Sequence, residues 1–258
     1  MKHTLLIITA LMLVVGCSSP EPINAEKLIE EDGLMYHPDT KELYSGNVFK
    51  KYLGGKSQLE GSYKDGKRDG LWTEWHENGQ KWQEGTYKDG EVDGKGTSWY
   101  ENGQKKEEGT WKNGKPDGLY TEWHENGQKR LEGTYIKGVD SWGSPRKDGV
   151  RTEWHENGQK WYEATWKDGE LDGVRAEWYE NGQKWYEVTY KDGKRDGKYN
   201  YWHYNGQKKS EGTHKNGKQD GKWTRWYENG QKGFEGTFKD GEVIDFKEWD
   251  EDGNKEQW

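Results

Sequence analysis

The chain repeats itself with a period of 24 residues. Glu77-Asn78-Gly79-Gln80, Glu101-Asn102-Gly103-Gln104, Glu125-Asn126-Gly127-Gln128, Glu156-Asn157-Gly158-Gln159, Glu180-Asn181-Gly182-Gln183 and Glu228-Asn229-Gly230-Gln231 carry one motif, which Tyr204-Asn205-Gly206-Gln207 changes only at its first position. From Gly79 to Gly230 the steps between motif glycines are 24, 24, 31, 24, 24 and 24. Degenerate copies at Leu53-Gly54-Gly55-Lys56 and Glu251-Asp252-Gly253-Asn254, with a half-unit from Asp32-Gly33 to Gly46, extend the array to about nine units. A period this regular leaves little choice of architecture. Each unit must be one supersecondary element that buries its apolar surface against its neighbours.

That element is a pair of strands. Asn-Gly between runs rich in Trp, Tyr and Thr predicts a hairpin with a type I′ turn, which needs positive φ at both central residues. The other connection, such as Lys88-Asp89-Gly90-Glu91-Val92-Asp93-Gly94, predicts a longer turn rich in Asp and Gly. Runs such as Leu71-Trp72-Thr73-Glu74-Trp75-His76 and Glu84-Gly85-Thr86-Tyr87-Lys88 have strand composition, and no segment after Glu31 carries a helical apolar period. The expected fold is all-β: an elongated, single-layer antiparallel meander of roughly 17 strands. Two positions keep their character in every clear unit. One is Trp75, Trp99, Trp123, Trp154, Trp178, Trp202 and Trp226; the other is Tyr87, Trp111, Tyr135, Trp166, Tyr190, His214 and Phe238. Equivalent residues of adjacent units lie ~9.5 Å apart in a meander, so both rows are expected to be structural.

Composition tests this reading. Only 28% of residues are apolar and 34% are charged, with a mean hydropathy of −1.44, values that alone would describe a disordered chain. The 17 Trp and 16 Tyr argue otherwise, because regularly spaced rings build a thin core without many aliphatic side chains. The net charge is −8 and its charges are finely interleaved, so no basic stripe is available for a phosphate backbone and nucleic acid is excluded as a partner.

The N-terminus has its own logic. After Lys2, the apolar run from Leu5 to Val15 is too short to span ~30 Å of hydrocarbon and has the length of a secretory signal core. It ends in Val14-Val15-Gly16-Cys17-Ser18-Ser19, where Cys17 is the single cysteine of the chain. This segment resembles the lipobox of bacterial lipoproteins. The resemblance implies cleavage of residues 1–16, acylation of Cys17 (palmitate among the acyl groups) and attachment to a membrane. Ser18 resembles the residue found after the cysteine in lipoproteins sorted to the outer membrane of two-membrane bacteria. Residues 17–31, with two prolines and no aromatic ring, predict a flexible tether, leaving 32–258 as the repeat domain.

The pattern Glu-Gly-Thr-Tyr-Lys-Asp-Gly-x-x-Asp-Gly, present at Glu84 to Gly94, resembles MORN repeats. The whole unit is similar to the MORN variant of bacterial YwqK-type proteins, and the resemblance covers residues 32–258. It implies an elongated β-meander that acts as a scaffold for proteins, with links to phospholipids, and for the YwqK-type family an antitoxin-like role.

Catalysis needs an asymmetric set of groups at one place, whereas here nearly every polar residue recurs in each unit. No enzymatic activity, cofactor or metal is expected. His76, His124, His155 and His203 share one repeat position with Tyr100, Tyr179 and Tyr227; a spacing of ~9.5 Å between units cannot bring two of them to within ~2.1 Å of one zinc ion. The Asp-Gly-x-x-Asp-Gly loops are ordinary turn chemistry before they are calcium ligands. Departures from the repeat are more informative. Seven extra residues fall within Ile136 to Lys147 and predict a surface loop that exposes Trp142. Trp82, Trp161 and Trp185 stand where other units carry Lys106, Arg130, Lys209 and Gly233, so they are expected to be at least half exposed and, with Tyr162 and Tyr186, to form a central binding patch. The function expected is that of an envelope-anchored scaffold for a protein partner, with glycan binding through exposed Trp and Tyr, or immunity to a secreted toxin, as alternatives.

Overall fold

The computed structural model describes residues 21–139 and 144–256. Strands β1 (Ile23–Asn24), β2 (Ile29–Glu31), β3 (Leu34–Tyr36) and β4 (Gly46–Lys51) form the N-terminal part. From β4 onward each strand pairs antiparallel with the next in chain order, ending at Glu242–Glu248, and β1 adds a parallel strand beside β4. The result is one 20-stranded, open sheet and a separate two-stranded sheet of β2 and β3. The strand count exceeds the expected 17 because β1 joins the sheet and two strands are each broken in two, at Lys67–Arg68/Gly70–Trp75 and Lys218–Gln219/Gly221–Trp226.

The two turns of each unit exchange the roles expected for them. At the Asp-Gly connection both central residues have positive φ (Asp89 52°, Gly90 91°), and Lys88 pairs directly with Glu91. This is the two-residue type I′ hairpin. At the Asn-Gly connection only the glycine is left-handed (Gly79, φ 93°), and His76 N donates to Gln80 O at 2.8 Å around a three-residue loop. The Asn78 side chain explains the difference. Its Oδ1 accepts from Gln80 N at 2.9 Å and holds Asn78 out of the left-handed region.

Each unit also contains a β-bulge that the period conceals. Trp75 pairs with Lys81 and Glu74 with Gln83, so Trp82 has no cross-strand partner; the same skip occurs at Trp161 (Trp154↔Lys160, Glu153↔Tyr162) and Trp185 (Trp178↔Lys184, Glu177↔Tyr186). Residues 82, 106, 130, 161, 185, 209 and 233 are therefore the bulge residues. A bulge turns two successive side chains toward one face, which is how Trp161 and Tyr162 come to lie 5.6 Å apart, ring to ring.

Strand alternation then sorts the side chains. One face, here called aromatic, carries Trp72, Tyr87, Tyr120, Tyr162, Tyr186, Tyr199 and Trp223. Rings there lean over glycines of the preceding strand: a Cβ on Gly109 would lie 2.8 Å from Tyr120 Cδ2, and one on Gly96 2.8 Å from Trp111 Cζ3. The glycine gives way to the fully buried Ala164 between Arg151 and Arg175, and to Val188 between Arg175 and Tyr199. The other face carries the tryptophan row. It is half-buried, and lysines of the preceding unit lie above it, with Lys81 Nζ 5.6 Å from the Trp99 ring centre and Lys105 Nζ 5.5 Å from that of Trp123. The most buried rings are instead Trp72 and Trp223, at 2% and 3% exposure.

Two expectations are corrected. The tether of residues 17–31 is not flexible throughout, because Ile23, Ala25 and Leu28 pack on the Tyr44–Val48–Tyr63–Trp72 cluster. Aliphatic residues there do the work that aromatic ones do elsewhere. The seven-residue insertion is a ribbon more than a loop. Strands Lys129–Val139 and Pro145–Trp154 continue past the usual turn through Ile136↔Arg146 and Val139↔Pro145, and Arg146 Nη2 anchors the ribbon to Asp168 Oδ1 at 2.7 Å. Cys17 and Trp142 lie outside the described residues.

Candidate binding faces

The recurring polar residues hold units together. Asn78 Nδ2 donates to Glu101 O at 2.7 Å, Asn102 to Glu125 O at 2.9 Å and Asn126 to Glu156 O at 2.8 Å, a ladder that continues to Asn229 and Glu251 O. The Gln of each motif lies over the turn glycine of the next unit: a Cβ on Gly103 would meet Gln80 Oε1 at 2.7 Å. The mixed His/Tyr position has the same purpose. Tyr100 Oη donates to Trp123 O at 2.8 Å, Tyr179 Oη to Trp202 O at 3.1 Å, and His76, His124 and His203 reach Trp99, Trp154 and Trp226 carbonyls through Nε2 at 3.2, 2.9 and 3.0 Å. Because a carbonyl only accepts, Nε2 must carry the proton in each of these histidines. His155 departs from the series, its Nε2 being buried without a partner. At the opposite edge Gly90 N donates to Arg68 O and Gly114 N to Val92 O, both at 2.9 Å. The loop aspartates are engaged too, Asp93 by Lys112 at 3.0 Å and Asp220 by Lys239 at 2.9 Å. Among the described residues no three His, Cys, Asp or Glu side chains converge as metal ligands would.

The expected central patch is only partly a surface. Trp82 and Trp161 are 45% and 36% exposed, but Trp185 is less so. It packs 5.2 Å from Tyr201 and 6.1 Å from Tyr179, ring centre to ring centre. Tyr162 and Tyr186 are buried core residues, not patch residues. The Tyr186 hydroxyl meets that of Tyr190 at 3.2 Å, and burial, followed by that bond, pushes its pKa up. Arg175 lies between the two buried tyrosines, 5.5 and 5.6 Å from their ring centres, and pairs with the buried Glu177. Strict alternation puts 161 and 162 on opposite faces. The bulge does bring Trp161 and Tyr162 to one face, but Tyr162 lies inward, beneath Arg175, instead of at the surface.

A second surface was not singled out from the sequence. On the face opposite the rings, Leu119, Val150 and Val174 occupy one repeat position in three consecutive units and are 58%, 54% and 47% exposed. The same position holds Leu71, Lys95, Lys198 and Lys222 in other units. The signal was present as a column of aliphatic residues in an otherwise charged site.

This sheet of ladder-linked hairpins defines a class of repeat protein. The MORN repeat variant matches residues 68–89, 92–113, 116–137, 147–168, 171–192, 195–216 and 219–240, and the MORN repeat itself matches 60–71 and 108–119. The chain belongs to the MORN repeat variant family, whose members are repeat scaffolds for proteins or membranes. No curated protein matches the chain.

Proposed function

We propose that the chain is a lipid-anchored, non-catalytic scaffold of the cell envelope that binds a protein partner. The row of Leu119, Val150 and Val174 carries this reading. Turns, edges and recurrent polar side chains are consumed in contacts between units, so recognition falls to positions where units differ. Three exposed aliphatic side chains in line, at a site that tolerates lysine elsewhere, have no folding role to account for them. An apolar strip rimmed by charge, with Lys95 and Lys198 in the flanking units and Lys95 bonded to Glu108 at 3.1 Å, suits a protein surface with an apolar centre and a polar margin. The resemblance to antitoxin-like proteins makes a secreted toxin one such partner.

Anchoring rests on Val14-Val15-Gly16-Cys17. Cys17→Ser should lose labelling by a palmitate analogue and leave the membrane fraction; retention without label would remove the anchor. For binding, the triple variant Leu119→Lys, Val150→Lys and Val174→Lys should melt as wild type, because other units carry lysine there. Crosslinked capture from intact envelopes should lose a specific partner. An identical capture profile from wild type and variant would overturn this assignment.

A further inference from the structure

The aromatic face changes its charge pattern near the C-terminal end of the array. Upstream, each arginine on that face has a glutamate beside it: Arg68 and Glu74 at 3.8 Å, Arg151 and Glu153 at 2.7 Å, Arg175 and Glu177 at 2.5 Å, and Arg130 in contact with Glu122. Those four glutamates occupy one repeat position. In the next two units that position holds Tyr201 and then Arg225. Arg195, Lys209 and Arg225 consequently lie over rings, those of Tyr199, Tyr201 and Phe234 at 6.0, 5.4 and 5.0 Å, with no carboxylate in ion-pair range among the described residues. On a chain of net charge −8, this is a local concentration of positive charge.

The same place is hollow. Its bulge residue is Gly233, where other units carry Trp, Lys or Arg. The resulting groove, of about 730 Å³, is lined by the three cations together with Tyr201, Phe234 and Tyr227, and its size falls in the range of small-ligand sites. Its inner wall includes His214, which is 8% exposed and whose Nδ1 has no hydrogen-bond partner. Burial, and then Arg195, hold this imidazole below the usual histidine range, so it stays neutral at pH 7 with an uncommitted ring nitrogen. A buried polar atom left without a partner is able to take a hydrogen bond from a bound hydroxyl. Ser210, Gln219 and Glu248 add further hydrogen-bonding groups to the lining.

We propose that this groove binds an acidic saccharide, a short stretch of uronic-acid polymer. Its carboxylates would pair with Arg225, Arg195 and Lys209, and charge-assisted bonds of this kind are the strong ones. Its hydroxyls would satisfy His214, Ser210 and Gln219, and its ring faces would stack on Tyr201 and Phe234. An extended acidic peptide fits less well. Most of the groove lies on a sheet face whose strands, from 194–202 to 232–239, are paired on both sides, so a peptide main chain finds no edge to pair with there. The site is on the face opposite Leu119, Val150 and Val174, and is independent of the protein-binding reading.

The test uses the full chain and tetragalacturonate, with its methyl ester and hexaglutamate as comparisons. Arg225→Glu restores the residue found at this position in four other units, and His214→Phe installs the residue that Phe238 supplies in the next unit, so both should melt as wild type. Tetragalacturonate should bind, the methyl ester about tenfold or more weakly. Arg225→Glu should lose at least about tenfold in affinity and His214→Phe a few-fold, while the triple lysine variant of the opposite face binds unchanged. Absence of binding, equal binding of the ester, undiminished binding by Arg225→Glu, or binding of hexaglutamate as tight as that of the saccharide would each overturn the proposal.

Discussion

Gly85 and Gly212 are the same residue of the same Glu-Gly-Thr motif, yet alanine should affect the protein in opposite directions at the two. Neither has a positive φ, so alanine is free of backbone strain at both. At Gly85 a Cβ would find its nearest neighbour, Tyr87 Cε2, at 3.7 Å, an ordinary van der Waals distance. At Gly212 it would fall within the fused ring of Trp223, with Cε3 at 2.8 Å and two further ring carbons closer still. Trp223 is only 3% exposed and its Nε1 donates to Thr213 O at 3.1 Å, so the ring has nowhere to go. Replacing glycine by alanine at an unstrained site gains about 0.4–1 kcal/mol through the unfolded chain. Overpacking a filled core costs about 1–3 kcal/mol. Gly85→Ala should therefore stabilise by some tenths of a kcal/mol, and Gly212→Ala should destabilise by about 0.5–2 kcal/mol. Urea unfolding of each variant reads this directly, as shifts of the midpoint of opposite sign on the order of 0.5 M per kcal/mol. Shifts of the same sign would refute the ring-over-glycine packing on which the aromatic face is built.

Trp185→Lys should cost more stability than Trp82→Lys, since Trp185 contacts Tyr179, Tyr186 and Tyr201 whereas Trp82 has His76 alone as a ring neighbour; equal melting temperatures would contradict this. Deleting residues 173–196, one whole period, should leave a folded β protein, while deleting 12 residues should reverse the following units and abolish the far-ultraviolet spectrum of the sheet. Asn102→Ala removes both the bond to Glu125 O and that from Gln104 N, and should destabilise the tip by about 1 kcal/mol, visible as faster amide exchange at Gln104. Glu235 is held down to about 2 from 4.5, first by its bond with Lys232 and then by Lys222. A depressed carboxylate stabilises fully above its unfolded pKa and loses that contribution as pH falls, so the melting difference between wild type and Glu235→Gln should vanish between pH 4.5 and 2.

The architecture was legible because its signals recur. One ambiguous hairpin says little, but seven copies of Asn-Gly at fixed spacing admit hardly any arrangement other than a meander. The bulge was not legible, since it shows only as a residue skipped in pairing. Without it Trp161 and Tyr162 would fall on opposite faces, and the burial of Tyr162 and Tyr186 depends on Arg175 between them, which no single repeat shows. The turn types were exchanged for a related reason: an asparagine side chain that caps its own loop has the same letter as one in the left-handed region. Val188 and Ala164 could be placed only once the residues opposite them were known, because the rule that fills the core pairs residues on neighbouring strands. The groove at Gly233 was hidden by glycine itself, which a sequence reader takes for a turn or a gap in the repeat.

The unpaired bulge residue has one further consequence. Most other substitutions in a strand alter a cross-strand pair and, through it, the next unit. A residue that faces no partner can change without that propagation. Seven of the bulges form a line of such positions along the aromatic face, ~9.5 Å from unit to unit, already occupied by Trp82, Lys106, Arg130, Trp161, Trp185, Lys209 and Gly233. Where such a residue makes few contacts, as Trp82 does, the array separates surface chemistry from the pairing that folds it. Evolution, or a designer, can rewrite that line one unit at a time while the hairpins beneath keep their register.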